Sequence, residues 1–292
     1  MMKRIFSLFT ALILLCLLAG CQAAAPTAQI AATTLPVYEF TARLCAGTDL
    51  SVTRLITDKV SCLHDYSLNV NQVRAAEAAQ VIVLSGAGLE DFMADILKDK
   101  QTIDSSAGIP LLDCGDSHHH EDSHHHHEQD AHIWLSVENA KIMAENICHG
   151  LTQRYPQHAA AFDENLTSLH ADMDKLRAYA DASLANLSQR ELITFHDGFF
   201  YLADAFDLTV LQAIEEESGS EASAQTLIHL INLVQDNHLS AVFTEANGSA
   251  SAASILSAET GAAVYTLDMA MSGDSWFDAM YHNIDTLKEA LE

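Results

Sequence analysis

The stretch of residues 157–187, which contains neither glycine nor proline, constrains the fold of this chain more than any other feature. As one continuous helix it would be about 45 Å long, because an α-helix rises about 1.5 Å per residue. On both sides of it, short apolar runs typical of strands alternate with helical patterns, which indicates parallel sheets with helices on both faces. We therefore predict an α/β fold of two lobes, each a mostly parallel sheet flanked by helices, joined by one long rigid helix.

The predicted strands are short runs rich in apolar and β-branched residues. They cover residues 30–35, 50–56, 81–84, 102–103 and 110–112 before the long helix, and residues 191–195, 210–211, 241–244 and 263–267 after it. The other predicted helices cover residues 38–45, 71–79, 89–97, 137–155, 199–206, 223–237, 250–260 and 276–291. The predicted domains are an N-terminal lobe at residues 30–155, a linking helix at 157–188 and a C-terminal lobe at 189–292.

The N-terminus has the pattern of a bacterial lipoprotein signal. Two basic residues precede an apolar run at residues 5–18, and small residues then lead to Cys21. This run is shorter than the roughly 20 residues that a spanning helix needs, and small residues before a cysteine are suited to cleavage there. We expect residues 1–20 to be removed, Cys21 to carry a lipid, and residues 21–29 to be a tether to the outer face of the cytoplasmic membrane. An ordinary signal peptide or an uncleaved anchor is the alternative.

The chain is strongly acidic, with 40 Asp and Glu against 14 Lys and Arg and a net charge of -26. Such a surface repels nucleic acid and anionic lipid, and it attracts divalent cations. We therefore expect no nucleic-acid partner.

Besides the lipidated Cys21, four cysteines remain after the predicted cleavage, and they allow three disulfide pairings. They are Cys45, Cys62, Cys114 and Cys148. The sequence does not choose among these pairings. Because none of the four forms a C-x-x-C pair, the cysteines do not indicate a structural zinc site.

A histidine-rich segment at residues 116–128 contains no apolar residue and is therefore predicted to be a solvated loop. Its histidines are His118, His119, His120, His124, His125, His126 and His127. Imidazoles suit Zn, Cu, Fe and Ni, and the interspersed acidic residues would raise the local cation concentration. We predict an auxiliary metal loop of low affinity. An engineered affinity tag is the alternative, but tags lie at termini and this segment is internal.

Four further residues are candidate ligands of one metal ion. His196 and Asp268 each directly follow a predicted strand, and open α/β sheets bind ligands at the carboxyl ends of their strands. His64 lies in the loop after strand 50–56, and His132 lies between the histidine-rich loop and a helix. Three imidazoles and one carboxylate make a set that zinc accepts readily. Isolated histidines without a partner motif are predicted to be ordinary surface or core residues: His149, His158, His170, His229, His238 and His282.

Three motifs resemble those of the metal-binding lipoproteins of ABC importers for zinc and manganese. The segments LHDYS (63–67), DAHIWL (130–135) and FHDGFFY (195–201) correspond to the family patterns Pro-His-Asp/Glu, Asp-Pro-His-x-Trp-Leu and His-x-Ala-Phe-x-Tyr. The segments FTE (243–245) and TLD (266–268) resemble the following strand motifs, and TLD precedes GDSW (273–276). The resemblance covers essentially the whole chain after the predicted signal peptide.

The resemblance implies a monomer that captures Zn²⁺ and delivers it to an ABC permease and its ATPase. It implies His64, His132, His196 and Asp268 as the ligands. Members selective for manganese tend to have Glu where this chain has His196, and a histidine-rich loop is typical of zinc members, so the resemblance favours Zn²⁺ over Mn²⁺.

Three alternatives remain, and the last two are of a different class of protein. One is a manganese carrier of the same family, and another is a metal-dependent surface adhesin. The third is an exported zinc hydrolase, whose best candidate base would be Glu245 or Asp65. Because the chain contains no His-Glu-x-x-His motif, we expect it not to be an enzyme.

Overall fold

The computed structural model describes residues 28–60, 63, 66–112, 129–214, 223–246 and 251–292. The predicted signal peptide, Cys21, His64, Asp65, Cys62, Cys114 and the histidine-rich loop lie outside these residues. Within the described ranges, no helix is both long enough and apolar enough to cross a membrane.

The N-terminal lobe contains a parallel sheet of four strands in the order β2-β1-β3-β4. The strands are β1 (Ile30–Ala32), β2 (Val52–Arg54), β3 (Val81–Leu84) and β4 (Gln101–Asp104). The helices are α1 (Leu35–Leu44), α2 (Val70–Ala78), α3 (Ala94–Leu97) and α4 (Val137–Arg154). Local capping explains two of the helix starts, since Asn69 forms a capping box at α2 and the Ser136 side chain accepts a hydrogen bond from the N–H of Asn139 at α4.

The linking helix α5 covers Ala159–Ser183, which is 25 residues, and it follows a short 3₁₀ turn at Pro156–His158. At about 1.5 Å per residue it is roughly 37 Å long. One face is buried, and it packs against α1 and α4 of the first lobe and against the last helix of the chain. The prediction of one long helix between two lobes is confirmed.

The C-terminal lobe repeats the strand order of the first, as β6-β5-β7-β8, again with all strands parallel. Its strands are β5 (Glu191–Thr194), β6 (Thr209–Ala213), β7 (Ala241–Glu245) and β8 (Ala263–Leu267). Its helices are α6 (Phe200–Ala205), α7 (Ala224–Asp236), α8 (Ser251–Thr260) and α9 (Trp276–Leu291). The predicted fold class of two lobes with parallel sheets is therefore confirmed, whereas the exact domain boundaries stay a prediction.

Two predicted elements are wrong in detail. Residues 110–112 are not a strand, because Pro110 has no N–H for a ladder and the N–H of Leu112 instead donates to the Tyr201 hydroxyl at 2.9 Å. The predicted helix 89–97 is a 3₁₀ turn, Asp91–Met93, followed by the single turn of α3.

Two of the four cysteines are described, both are buried, and neither forms a disulfide within the described part of the chain. Cys45 ends α1 and Cys148 lies in α4. Burial raises the pKa of the Cys45 thiol to about 12, so this side chain behaves as a small apolar residue. Cys45 and Cys148 therefore do not form a disulfide with each other.

Candidate metal centre

His132 is buried at the start of the 3₁₀ turn Ile133–Leu135, and its side chain is oriented by Asp130. One carboxylate oxygen of Asp130, Oδ1, accepts the backbone N–H of His132 and lies 2.8 Å from the ring Nδ1. A carboxylate at Nδ1 fixes the tautomer and leaves Nε2 as the ligating nitrogen. The Nε2 atom of His132 is buried and has no hydrogen-bond partner among the residues that the structure describes. This nitrogen is thus oriented for a ligand.

Asp130 is itself held by groups from both lobes. Its backbone N–H donates to the Leu112 carbonyl at 2.8 Å. Its own carbonyl accepts the hydroxyl of Tyr201, at 3.2 Å, from helix α6 of the other lobe. The sequence patterns give no role to Asp130, the first residue of DAHIWL, or to Tyr201, the last residue of FHDGFFY. A carboxyl group two residues before a candidate histidine is the signal that identifies Asp130.

His196 lies two residues beyond the end of β5, which ends one residue earlier than the predicted strand, and it is 6% exposed. The Thr194 hydroxyl donates to the His196 carbonyl at 2.8 Å and so fixes the backbone at the strand end. The ring Nδ1 lies 3.6 Å from Oε2 of Glu245, which is the last residue of the neighbouring strand β7. The rings of His132 and His196 have their centroids 5.3 Å apart and are nearly perpendicular, at 85°. The structure therefore brings one candidate ligand from each lobe together.

Asp268 lies one residue beyond β8 and is half-buried. Asn283, a fully buried residue of α9, holds the Asp268 backbone through two hydrogen bonds of 2.7 Å. Its Oδ1 accepts the N–H of Asp268, and its side-chain amide donates to the Asp268 carbonyl. The carboxylate Oδ1 accepts the N–H of Ala270 at 2.7 Å, which closes a tight turn after the strand. Asp268 therefore lies directly after a strand of the C-terminal sheet, as predicted.

The loop that contains His64 is anchored on both sides of that residue. Leu63 is 1% exposed and belongs to the main hydrophobic core. The hydroxyl of Tyr66 donates to the Asp58 carboxylate and accepts a hydrogen bond of 2.6 Å from the Gln72 amide. These contacts tie the flanks of the loop to helix α2.

Within the described ranges, no group of three or more His, Cys, Asp or Glu side chains is arranged to hold a metal ion. The set of four ligands, His64, His132, His196 and Asp268, therefore stays a prediction. The six histidines predicted to be ordinary residues are exposed or half-buried, and none is fully buried. His158, for example, contacts Asp49 at 2.8 Å, and His149 contacts the Gln153 amide at 2.7 Å.

The fold and the paired histidines define a class of protein, namely a two-lobed α/β protein with a candidate metal centre between the lobes. The family described as "ZnuA: Zinc-uptake complex component A periplasmic" matches residues 30–290 of this chain. The chain belongs to this family.

The relatives agree with that assignment. A "Putative metal-binding protein" of Treponema pallidum is 27% identical over 261 residues, covering 85% of this chain and 82% of the relative. The "Zinc-binding lipoprotein AdcA" of Streptococcus pneumoniae is 29% identical over 282 residues, covering 90% of this chain but only 56% of AdcA. This chain thus spans about half the length of AdcA.

Solved structures show the same fold. The crystal structure of ZnuA superposes with a TM-score of 0.77 at 28% identity, covering 91% of this chain and 100% of ZnuA. The structure of FpvC from Pseudomonas aeruginosa, solved in complex with Mn²⁺, superposes with a TM-score of 0.78 at 23% identity, covering 91% of this chain and 98% of FpvC. At that level of identity the second comparison concerns the fold alone.

Proposed function

We propose that this chain captures Zn²⁺ outside the cytoplasm and delivers it to an ABC-type permease and its ATPase. The observation that carries the proposal is the pair of buried histidines, one from each lobe, whose ring centroids are 5.3 Å apart. Each ring has a carboxylate near Nδ1, at 2.8 Å for His132 and 3.6 Å for His196. Metal-ligating histidines have such carboxylate partners.

The ion would be held by His64, His132, His196 and Asp268. Three histidine nitrogens and one carboxylate suit the borderline character of zinc, whereas harder ions such as Mn²⁺ prefer carboxylates. Family membership and the zinc-binding AdcA relatives support the same metal. Mn²⁺ is the competing cargo in this proposal, and the histidine-rich loop would store additional zinc at low affinity.

The decisive experiment measures bound metal by elemental analysis. The mature chain, with Cys21→Ser so that no lipid is attached and without any tag, is loaded with equal Zn²⁺ and Mn²⁺ and then dialysed. We expect one tightly bound zinc, which His132→Ala and His196→Ala each abolish. His149→Ala, which alters an exposed histidine of α4, is the matched control and should leave the zinc in place. Tight zinc binding by both ligand variants would show that the proposed site is wrong.

Lipidation and transport are tested in the cell that makes the protein. Mass spectrometry of the mature N-terminus should find a lipid on Cys21, and Cys21→Ser should release the chain from the membrane. Deletion of the gene should lower uptake of radioactive zinc at limiting zinc, and His132→Ala should not restore it. Restoration by His132→Ala would separate transport from this site.

A further inference from the structure

Trp134 connects the two lobes where the candidate ligands meet. It lies two residues after His132 and is fully buried. Its indole N–H donates to the backbone carbonyl of Met269 at 2.7 Å. Since Met269 directly follows Asp268, one hydrogen bond joins the close neighbours of two candidate ligands from different lobes.

Trp276 holds the other side of Trp134. This residue begins α9, is fully buried, and donates its own indole N–H to the Trp134 carbonyl at 3.0 Å. Its ring packs edge-on against Phe40 of α1, with centroids 5.1 Å apart. Both the side chain and the backbone carbonyl of Trp134 are therefore hydrogen-bonded to the C-terminal lobe. These two bonds fix the position of Trp134 relative to that lobe.

Gly198 brings the third ligand-bearing segment into the same contact. It lies two residues after His196, and a Cβ atom there would be 2.4 Å from Cε of Met269 and 2.9 Å from Cε1 and Cγ of His132. These distances are below any real Cβ contact, so both side chains rest directly on the backbone of the turn after His196. His132, the turn after His196 and the residue after Asp268 thus meet at one point.

We propose that Trp134 is a positioning residue of the metal centre: its bond to Met269 sets the separation of His132 from Asp268, and Gly198 provides the surface on which His132 and Met269 rest. The inference depends on the zinc function proposed above. Zinc holds nitrogen and oxygen ligands at about 2.0–2.2 Å, so ligands from two lobes need a fixed separation. Trp134 supplies it without touching the ion.

The test compares zinc affinity with stability. Trp134→Phe keeps an aromatic ring but removes the donor, so the Met269 carbonyl loses its partner. We expect the zinc Kd, measured by competition with a chelator, to rise about 10-fold to 100-fold, as when other supports of metal ligands are lost. Phe162→Leu, at a fully buried position of α5, is the matched control. It should lower the unfolding temperature to a similar degree and leave the zinc Kd unchanged.

Gly198→Ala alters a second contact of Met269, the one between its side chain and the turn after His196, and it does not remove any core side chain. We expect it to weaken zinc binding too, and the double variant should lose less than the product of the two single effects, because both variants displace Met269. Unchanged zinc affinity in both Trp134→Phe and Gly198→Ala would overturn the inference, and Trp134 would then be a core residue only. Retention of tight zinc by both His132→Ala and His196→Ala would instead show that the proposed site is wrong, and absence of tight zinc from the unaltered chain would defeat the proposed function itself.

Discussion

The two sheets have the same strand order, yet the crevices beyond their two central strands differ. In the C-terminal lobe, the crevice beyond β5 and β7 presents His196 and Glu245, with Nδ1 and Oε2 at 3.6 Å. In the N-terminal lobe, the equivalent crevice beyond β1 and β3 is closed by Glu90, which is 3% exposed. Its carboxylate accepts the Thr33 hydroxyl at 2.6 Å and the Ser85 N–H at 2.7 Å.

Open α/β sheets bind ligands at this kind of crevice, and the comparison shows that topology alone does not select which one is used. The N-terminal crevice is occupied by the Glu90 side chain, which accepts hydrogen bonds from the hydroxyl and N–H groups at the strand ends. That lobe provides its described candidate ligand, His132, from a turn before α4 that lies outside the sheet. The residues at the strand ends, and not the strand order, therefore distinguish the crevice that presents a candidate ligand from the crevice that Glu90 closes.

The largest expected effect tests the closed crevice. Burial raises the pKa of Glu90 to about 7, against 4.5 for the exposed group. Between these pH values the folded protein keeps a proton that the unfolded chain has lost, so stability falls as the pH rises through this window and then levels off. The expected fall is on the order of 3 kcal/mol. Urea unfolding as a function of pH measures it, and Glu90→Gln should remove this part of the dependence. An unchanged profile in Glu90→Gln would contradict the assignment.

The second prediction alters the open crevice. His196→Glu adds a carboxylate beside Glu245, which hardens the donor set and favours Mn²⁺. We expect zinc affinity to fall by more than about 100-fold, since loss of an outer support alone costs about 10-fold to 100-fold, and manganese affinity to fall less. Competition titrations with both metals measure the ratio, with His170→Glu on α5 as the control. An unchanged ratio would mean that His196 is not a ligand.

A smaller effect is expected from the carboxylates that orient the two rings. Asp130→Asn keeps the shape of the side chain and removes its charge at 2.8 Å from Nδ1 of His132. We expect zinc affinity to fall about 10-fold, and Glu245→Gln, whose carboxylate lies 3.6 Å from Nδ1 of His196, to cost less. Isothermal titration of both variants measures the two losses of zinc affinity. A larger loss in Glu245→Gln than in Asp130→Asn would show that the His132 ring is not the more tightly fixed of the two.

The smallest effect on tight binding is expected when residues 117–128 are deleted. The four predicted ligands lie outside this segment, so the tight zinc should remain. Additional weaker equivalents should disappear, because a solvated histidine run must become ordered when it binds and loses affinity for that reason. Elemental analysis at increasing zinc concentrations measures both. Loss of the tight zinc in the deleted chain would place part of the site in the loop.

Local patterns predicted most of the architecture. The apolar strand at Val81–Leu84 and the helix at Trp276–Leu291 have the predicted bounds, since their apolar periodicity is strong and begins and ends abruptly. The long helix was predicted two residues too early and four too late, because Pro156 starts a 3₁₀ turn first and the absence of glycine does not force a helix to continue. Residues 110–112 were mistaken for a strand because short apolar runs carry little information.

The sequence by itself determined the two parallel sheets, the linking helix and the positions of His196 and Asp268 after their strands, because all of these follow from periodicity and from which residues come next in the chain. Only the tertiary structure decided that His132 meets His196, that Tyr201 holds Asp130, and that Trp134 bonds to Met269 across 135 positions of sequence. Contacts between distant residues leave no local period in a sequence. They arise when two lobes pack, and the candidate metal centre lies where the lobes meet.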